Sequence, residues 1–186
     1  MSIVRSREAG VSLIELIVFI VVVSIAVTGV LSVMNYTVAH SADPVIRKQA
    51  IAVAEGLLEE ITAQAFTWCD PDDSGALTTA TSAASCTTPE ALGPETGETR
   101  FAVPLFDNVN DYNGFTMTGI RGVSDGSTVL LADFDAVVTV SEVGTSLGLA
   151  DNTAALRIDV QVSSSSKGES ITLTGYRYRH SPNSGG

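Results

Sequence analysis

The side chains best equipped for chemistry in this sequence are carboxylates gathered in two short runs. Asp70-Pro-Asp-Asp-Ser-Gly75 and Asp107-Asn-Val-Asn-Asp-Tyr-Asn-Gly114 both offer the hard oxygen donors that hold calcium. Neither fits the twelve-residue calcium loop of helix–loop–helix proteins, because the glycine and the downstream glutamate are misplaced. The expectation for each run is therefore a solvated turn, with no metal and no cofactor. Adjacent acids such as Asp72 and Asp73 are read the same way. Zinc is a poor fit, since Cys69 and Cys86 have only His40 and His180 to help them, at no ligand spacing. Nucleophilic catalysis lacks its base: His40 ends an apolar run and His180 lies near the C-terminus. No catalytic residue emerges, and no enzyme activity is expected. Tyr176, Arg177, Tyr178 and Arg179 could stack on a base or a sugar, but tyrosines pairing across a strand edge are the commoner case.

One further carboxylate stands alone. Glu15 lies inside the run from Val11 to Val38, which is apolar apart from a few small polar residues. A bilayer span needs about 20 such residues. An ordinary cleaved signal peptide has a shorter apolar stretch followed by a small-residue site, which this run lacks. A simple anchor fits the length but leaves Glu15 unexplained, and a buried core helix is rarely so uniformly apolar. An acid at mid-span costs roughly 2.5–3.5 kcal/mol even on lenient insertion scales. Glu15 therefore needs a partner and a purpose.

The residues before it sharpen the reading. A short basic leader, Met1 to Gly10 with Arg5 and Arg7, ends in glycine, and Glu15 is the fifth residue after it. This pattern resembles the class III signal of type IV prepilins. The resemblance implies that a prepilin peptidase cuts between Gly10 and Val11 and that the new Val11 amine is N-methylated. Val11 stands where that family usually has Phe or Met. Partners implied are other pilin subunits, major and minor, the prepilin peptidase, an inner-membrane assembly platform and the membrane itself. The stretches DNVNDYNGF (107–115) and ITLTGYRYRHSPN (171–183) add a likeness to accessory pilins of the mannose-sensitive haemagglutinin (MSHA) pilus, which are cell-surface adhesion fimbriae. A minor pseudopilin of type II secretion is the alternative within the same class. A membrane-tethered hydrolase that borrowed the anchor is the alternative from another.

Charge and redox state bear on the compartment. The formal net charge is -11, an acidity that argues against nucleic acid as a partner. Arg5 and Arg7 flank one side of the apolar run, with Arg47 and Lys48 farther off on the other. The nearer pair favours a cytoplasmic N-terminus and a periplasmic C-terminal domain in a single-pass inner-membrane protein that later reaches the pilus. In a cytosolic chain Cys69 and Cys86 would be free thiols, whereas beyond a membrane a pair this close is expected to be bonded.

The elements that carry these groups follow from periodicity. The reading divides the chain into a leader (1–10), a transmembrane or filament-core helix (11–38), an amphipathic second half (39–66), an extracytoplasmic β domain (67–180) and a disordered tail (181–186). Ser41-Ala-Asp-Pro44 is a helix-start signature, so the helix kinks or restarts there. Ile46, Ala50, Val53, Ala54, Leu57, Ile61 and Ala65 then form one stripe at helical spacing. Residues 67–99 carry no period and read as a long loop, which Cys69 and Cys86 would tie. Beyond Arg100 the period becomes two, with strands expected over Phe101–Phe106, Phe115–Arg121, Phe134–Val140, Ala154–Val162 and Ile171–Arg179. Each strand has one apolar face, which the helix stripe would cover. The expected class is α+β, a long N-terminal helix on a one-sided antiparallel sheet; this is also the pilin fold.

Overall fold

The computed structural model describes Gly10 and residues 12–41, 43–73, 79–123, 125–180 and 182–183. The chain divides into two compact units, Met1–Asp43 and Pro44–Gly186.

The described residues of the first unit form one long helix, α1 (Leu13–Ser41). Its residues are apolar around the full circumference, and every side chain described from Ser12 to Val38 is exposed. A helix that is apolar all round has no solvated face to turn outward, so it belongs in lipid or among other helices. Its few hydroxyls do not spoil this. Ser24 donates to the Ile20 carbonyl at 2.7 Å, Thr28 to Ser24 at 2.7 Å and Thr37 to Val33 at 2.9 Å. Such bonds one turn back satisfy the hydroxyls without water.

The second unit begins with α2 (Asp43–Ala63), in which Pro44 sits in the first turn, where the missing N–H breaks no helical bond. Four strands follow: β1 (Thr116–Gly122), β2 (Asp125–Glu142), β3 (Ala155–Ser164) and β4 (Ser170–Tyr178). They form one antiparallel sheet in sequence order. Ala50, Ala54, Leu57 and Ile61 of α2 are buried, and Ile46 and Val53 pack beside them. The sheet answers with Phe134, Ala136, Val138 and Val140 of β2 and Leu156, Ile158, Val160 and Val162 of β3, all buried. Register explains why these eight share a face: Val138 pairs with Val160, Val140 with Ile158 and Ala136 with Val162. Burial of each large aliphatic stabilises by about 1.5–3 kcal/mol. The α+β architecture expected from the sequence is the one observed.

Phe101–Phe106 departs from expectation, because it is not a strand. Pro104 has no N–H to give a ladder. The segment folds on itself instead: Thr99 Oγ1 bonds with Ala102, the Thr99 N–H donates to the Pro104 carbonyl, and the Phe106 N–H donates to Thr99. β2 in turn starts earlier than its apolar alternation suggests. Its first half pairs with β1 through shifted register around Gly119, whose φ of +69° favours glycine. The tail expected at 181–186 lies outside the described residues except for Pro182 and Asn183. The Pro182 carbonyl accepts the Trp68 N–H at 3.1 Å.

Candidate functional site

Each unit holds one unusual arrangement. In the first, Leu13–Val38 is a 26-residue stretch with mean hydropathy 2.9. At 1.5 Å per residue it extends about 39 Å, enough to cross a hydrocarbon core of about 30 Å. Glu15 lies in the first turn of α1 and is exposed. The backbone is already helical there, since the Leu16 N–H donates to the Ser12 carbonyl. Gly10 is exposed, and Val11 lies outside the described residues, as do Arg5 and Arg7. The carboxylate thus sits at the N-terminal end of an apolar cylinder, where a helix dipole favours negative charge.

The second arrangement is an acidic centre in the loops between α2 and β1. Cys69 and Cys86 are bonded, with Cα atoms 5.3 Å apart. Around that crosslink the backbone makes a short antiparallel ladder. The Asp70 N–H donates to Thr88, and the Glu90 N–H donates to Trp68. Asp73 Oδ2 accepts the N–H groups of Thr87 and Thr88 at 2.7 and 3.0 Å. A second scaffold comes from the tight turn Val109–Tyr112, which is wholly buried. The Val109 N–H donates to Ala65 at the end of the helical stripe, and Asn108 Nδ2 donates to Thr67 Oγ1 at 2.8 Å. Asp111 Oδ2 accepts the N–H groups of Asp107 and Asn108, which closes the turn.

These scaffolds bring carboxylates from distant positions together. Asp70, Asp72, Glu98 and Asp107 each offer an oxygen within 4.8 Å of all the others, and Glu90, Glu95 and Asp111 do likewise. Among the described residues none of the seven is ion-paired with a lysine or arginine. Several of their oxygens are buried without a hydrogen-bond partner: both of Glu90, Oε2 of Glu98, Oδ1 of Asp107 and Oδ1 of Asp111. Burial first, then the neighbouring acids Asp111 and Glu95, pushes the Glu90 carboxyl up to about 10. Burial and then Glu98 pushes Asp107 up to about 6. Glu95, Glu98 and Asp111 are raised as well, again chiefly by burial; the two backbone bonds to Asp111 pull the other way.

The solvated turns expected at 70–75, of which 74 and 75 lie outside the described residues, and at 107–114 are therefore corrected in part. Asp72 is exposed, but Asp70, Asn108, Asn110 and Asp111 are buried. Packing against Ala65 and Thr67 draws the second run inward. The two runs also meet each other, which no spacing in the sequence shows. Glu90, Glu95 and Glu98 escaped sequence reasoning altogether, because they stand in an aperiodic segment. So did the ion pair of Glu60 with Arg100, two bonds of 2.7 and 2.6 Å that join α2 to the loop before β1. Tyr112 donates to Glu60 Oε1 at 2.8 Å and completes that link.

The basic-aromatic edge also has a structural use. Arg179 lies 4.2 Å from the centre of the Phe66 ring and 4.1 Å from that of Trp68, so its guanidinium is held by stacking. Tyr176 and Tyr178 are half exposed on β4, one of the two edge strands of the sheet.

Comparison with known proteins bears on the first arrangement. Residues 5–31 match the prokaryotic N-terminal methylation motif. No curated protein and no solved structure matches the chain. The motif supports a type IV pilin-like structural subunit, processed and assembled with other pilins, and it fits a membrane-anchored single-pass protein.

Proposed function

We propose that this chain is a minor, accessory pilin of a type IV pilus of the MSHA kind, similar in role to MshD, with no catalytic activity. The observation that carries the reading is the coincidence of the methylation motif with α1: residues 5–31 match the motif, and the helix beneath it has no buried side chain among the residues described from Leu13 to Val38. The leader is removed between Gly10 and Val11, and the Val11 amine is then methylated. Before assembly the chain spans the inner membrane once, with the N-terminus cytoplasmic and the second unit periplasmic. Assembly transfers α1 from lipid into a bundle of like helices, where its apolar surface meets other pilins instead of acyl chains.

Glu15 gives that transfer its register. The Val11 amine is positive, and an unpaired charge in an apolar bundle is expensive. Glu15 of the same chain lies about 6 Å along the axis, an awkward reach within one helix. Glu15 of a neighbouring subunit meets the amine when the two helices slide into axial alignment. Attraction between opposite charges is steep at short range in a low dielectric, so misaligned helices lose it.

Intact-mass measurement on the membrane form tests the first step. The expected mass lacks residues 1–10 and carries one added methyl group. Retention of Met1 or Ser2 in cells with active prepilin peptidase would refute processing at Gly10. Cross-linked partners in sheared filaments then separate a pilus subunit from a secretion pseudopilin, because the recovered neighbours are pilus subunits in one case and secretion components in the other.

A further inference from the structure

We infer that the acidic centre of the second unit is a calcium site, seated on Asp70, Asp72, Glu98 and Asp107. A group of acids alone would not carry this, since exposed carboxylates commonly gather and stay solvated. Here only Asp72 stays exposed. Glu98 is only 8% exposed, and its Oε2 has no hydrogen-bond partner. Asp107 Oδ1 is likewise buried and unpartnered. Immediately beside them Asp111 and Asn108 are fully buried, and each keeps an Oδ1 with no donor. Leaving a buried oxygen without a donor costs about 1–3 kcal/mol, and more if it is charged. A fold that accepts this several times in one place has positioned acceptors for something that brings positive charge and no hydrogens.

The chemistry selects the cation. All the atoms on offer are oxygens, with no imidazole or thiolate among them, which favours a hard ion over zinc or copper. The four oxygens lie within 4.8 Å of one another. Magnesium demands a strict octahedron and usually keeps several waters, whereas calcium takes about 6–8 oxygens, carboxylates among them. Calcium also tolerates irregular geometry, as needed when ligands come from three separate loop segments. Glu90, Glu95 and Asp111 form the adjoining acidic wall, and the Glu98 N–H donates to the Glu95 carbonyl. The cation would link residues 70–72, next to the disulfide, with 98 and 107, so that the covalent tie is joined by an ionic clasp.

This inference stands apart from the filament reading, because a chain that never assembled would still bind. Its test uses the full chain in detergent micelles, stripped with a chelator and then supplied with calcium or magnesium chloride. Calcium is expected to raise the unfolding temperature by several degrees, with half-saturation near the 10⁻⁴–10⁻³ M range of extracellular modules; magnesium should give a clearly smaller rise. Glu98→Gln and Asp107→Asn should each shift half-saturation at least tenfold upward. Both variants should melt no lower than the parent in chelator, an outcome that a purely structural role for these acids would not give. Asp133→Asn, on β2, should keep the full calcium response. The inference is overturned if the parent shows no calcium-dependent rise, if magnesium matches calcium, or if both ligand variants respond like the parent.

Discussion

Helix α1 and the acidic centre fail to satisfy themselves in opposite ways. α1 has 29 residues, and its apolar side chains from Leu13 to Val38 are exposed. The acidic centre is partly covered by the chain, yet carries buried oxygens that no donor among the described residues reaches. One region has apolar surface without burial and the other has polar burial without partners. Both arrangements cost free energy in an isolated soluble domain. The contrast shows where an outside partner acts: at α1 it must be apolar and extended, and at the loops it must be small and positive. It also shows that the two regions should be separable by mutation, because the second unit has its own core.

The largest effect should come from Glu15→Ala. Breaking a buried ion pair costs about 3–5 kcal/mol, so recovery of the variant in sheared filaments should fall about 100-fold or more. Insertion, cleavage and the melting of the second unit should be unchanged. Normal recovery in purified filaments would make the carboxylate a bystander and remove assembly from the account of α1.

A smaller effect belongs to the other region. Replacing Cys69 and Cys86 with serine should destabilise the second unit by about 3 kcal/mol, as expected for a crosslink spanning 17 positions. Denaturant unfolding monitors this, and membrane insertion should be untouched. A change under 0.5 kcal/mol would mean that the backbone ladder of 68–70 with 88–90 holds the loop without the sulfurs.

The smallest effect should be that of Ser24→Ala. The Ser24 hydroxyl is satisfied by its own helix, so its loss should alter neither insertion nor filament recovery by more than about twofold. A strong assembly defect would reveal an interhelical bond and would mean that α1 is not recognised through apolar packing alone.

The legibility of the two regions in the sequence differs for physical reasons. α1 is encoded locally, since an unbroken apolar run with one acid at a fixed distance from a glycine needs no tertiary information. The stripe from Ile46 to Ile61 and the alternation in β3 are equally local, and the architecture followed from them. The acidic centre depends on contacts between residues 20–40 positions apart, such as Asp70 with Glu98 and Asp107. Hydrophobic periodicity carries no record of such meetings. Asp111 looked like one of several acids in a polar turn, and only its packing near Ala65 and Thr67 puts it out of water. The expected strand over Phe101–Phe106 failed for a related reason: its aromatic residues suit a strand, but Pro104 and the local bonds of Thr99 give the backbone a cheaper alternative.

The position of Trp68 has an optical consequence. It is the sole tryptophan of the chain, it neighbours Cys69 in sequence, and its ring lies 4.1 Å from the Arg179 guanidinium. All indole emission therefore arises beside the disulfide and two residues from Asp70, and none arises from α1. Fluorescence excited at the indole band reads the loop region selectively, whatever lipid, detergent or neighbouring helix surrounds the N-terminal segment. The chain thus contains a native reporter through which reduction, unfolding or ion binding in the second unit can be followed inside an intact membrane.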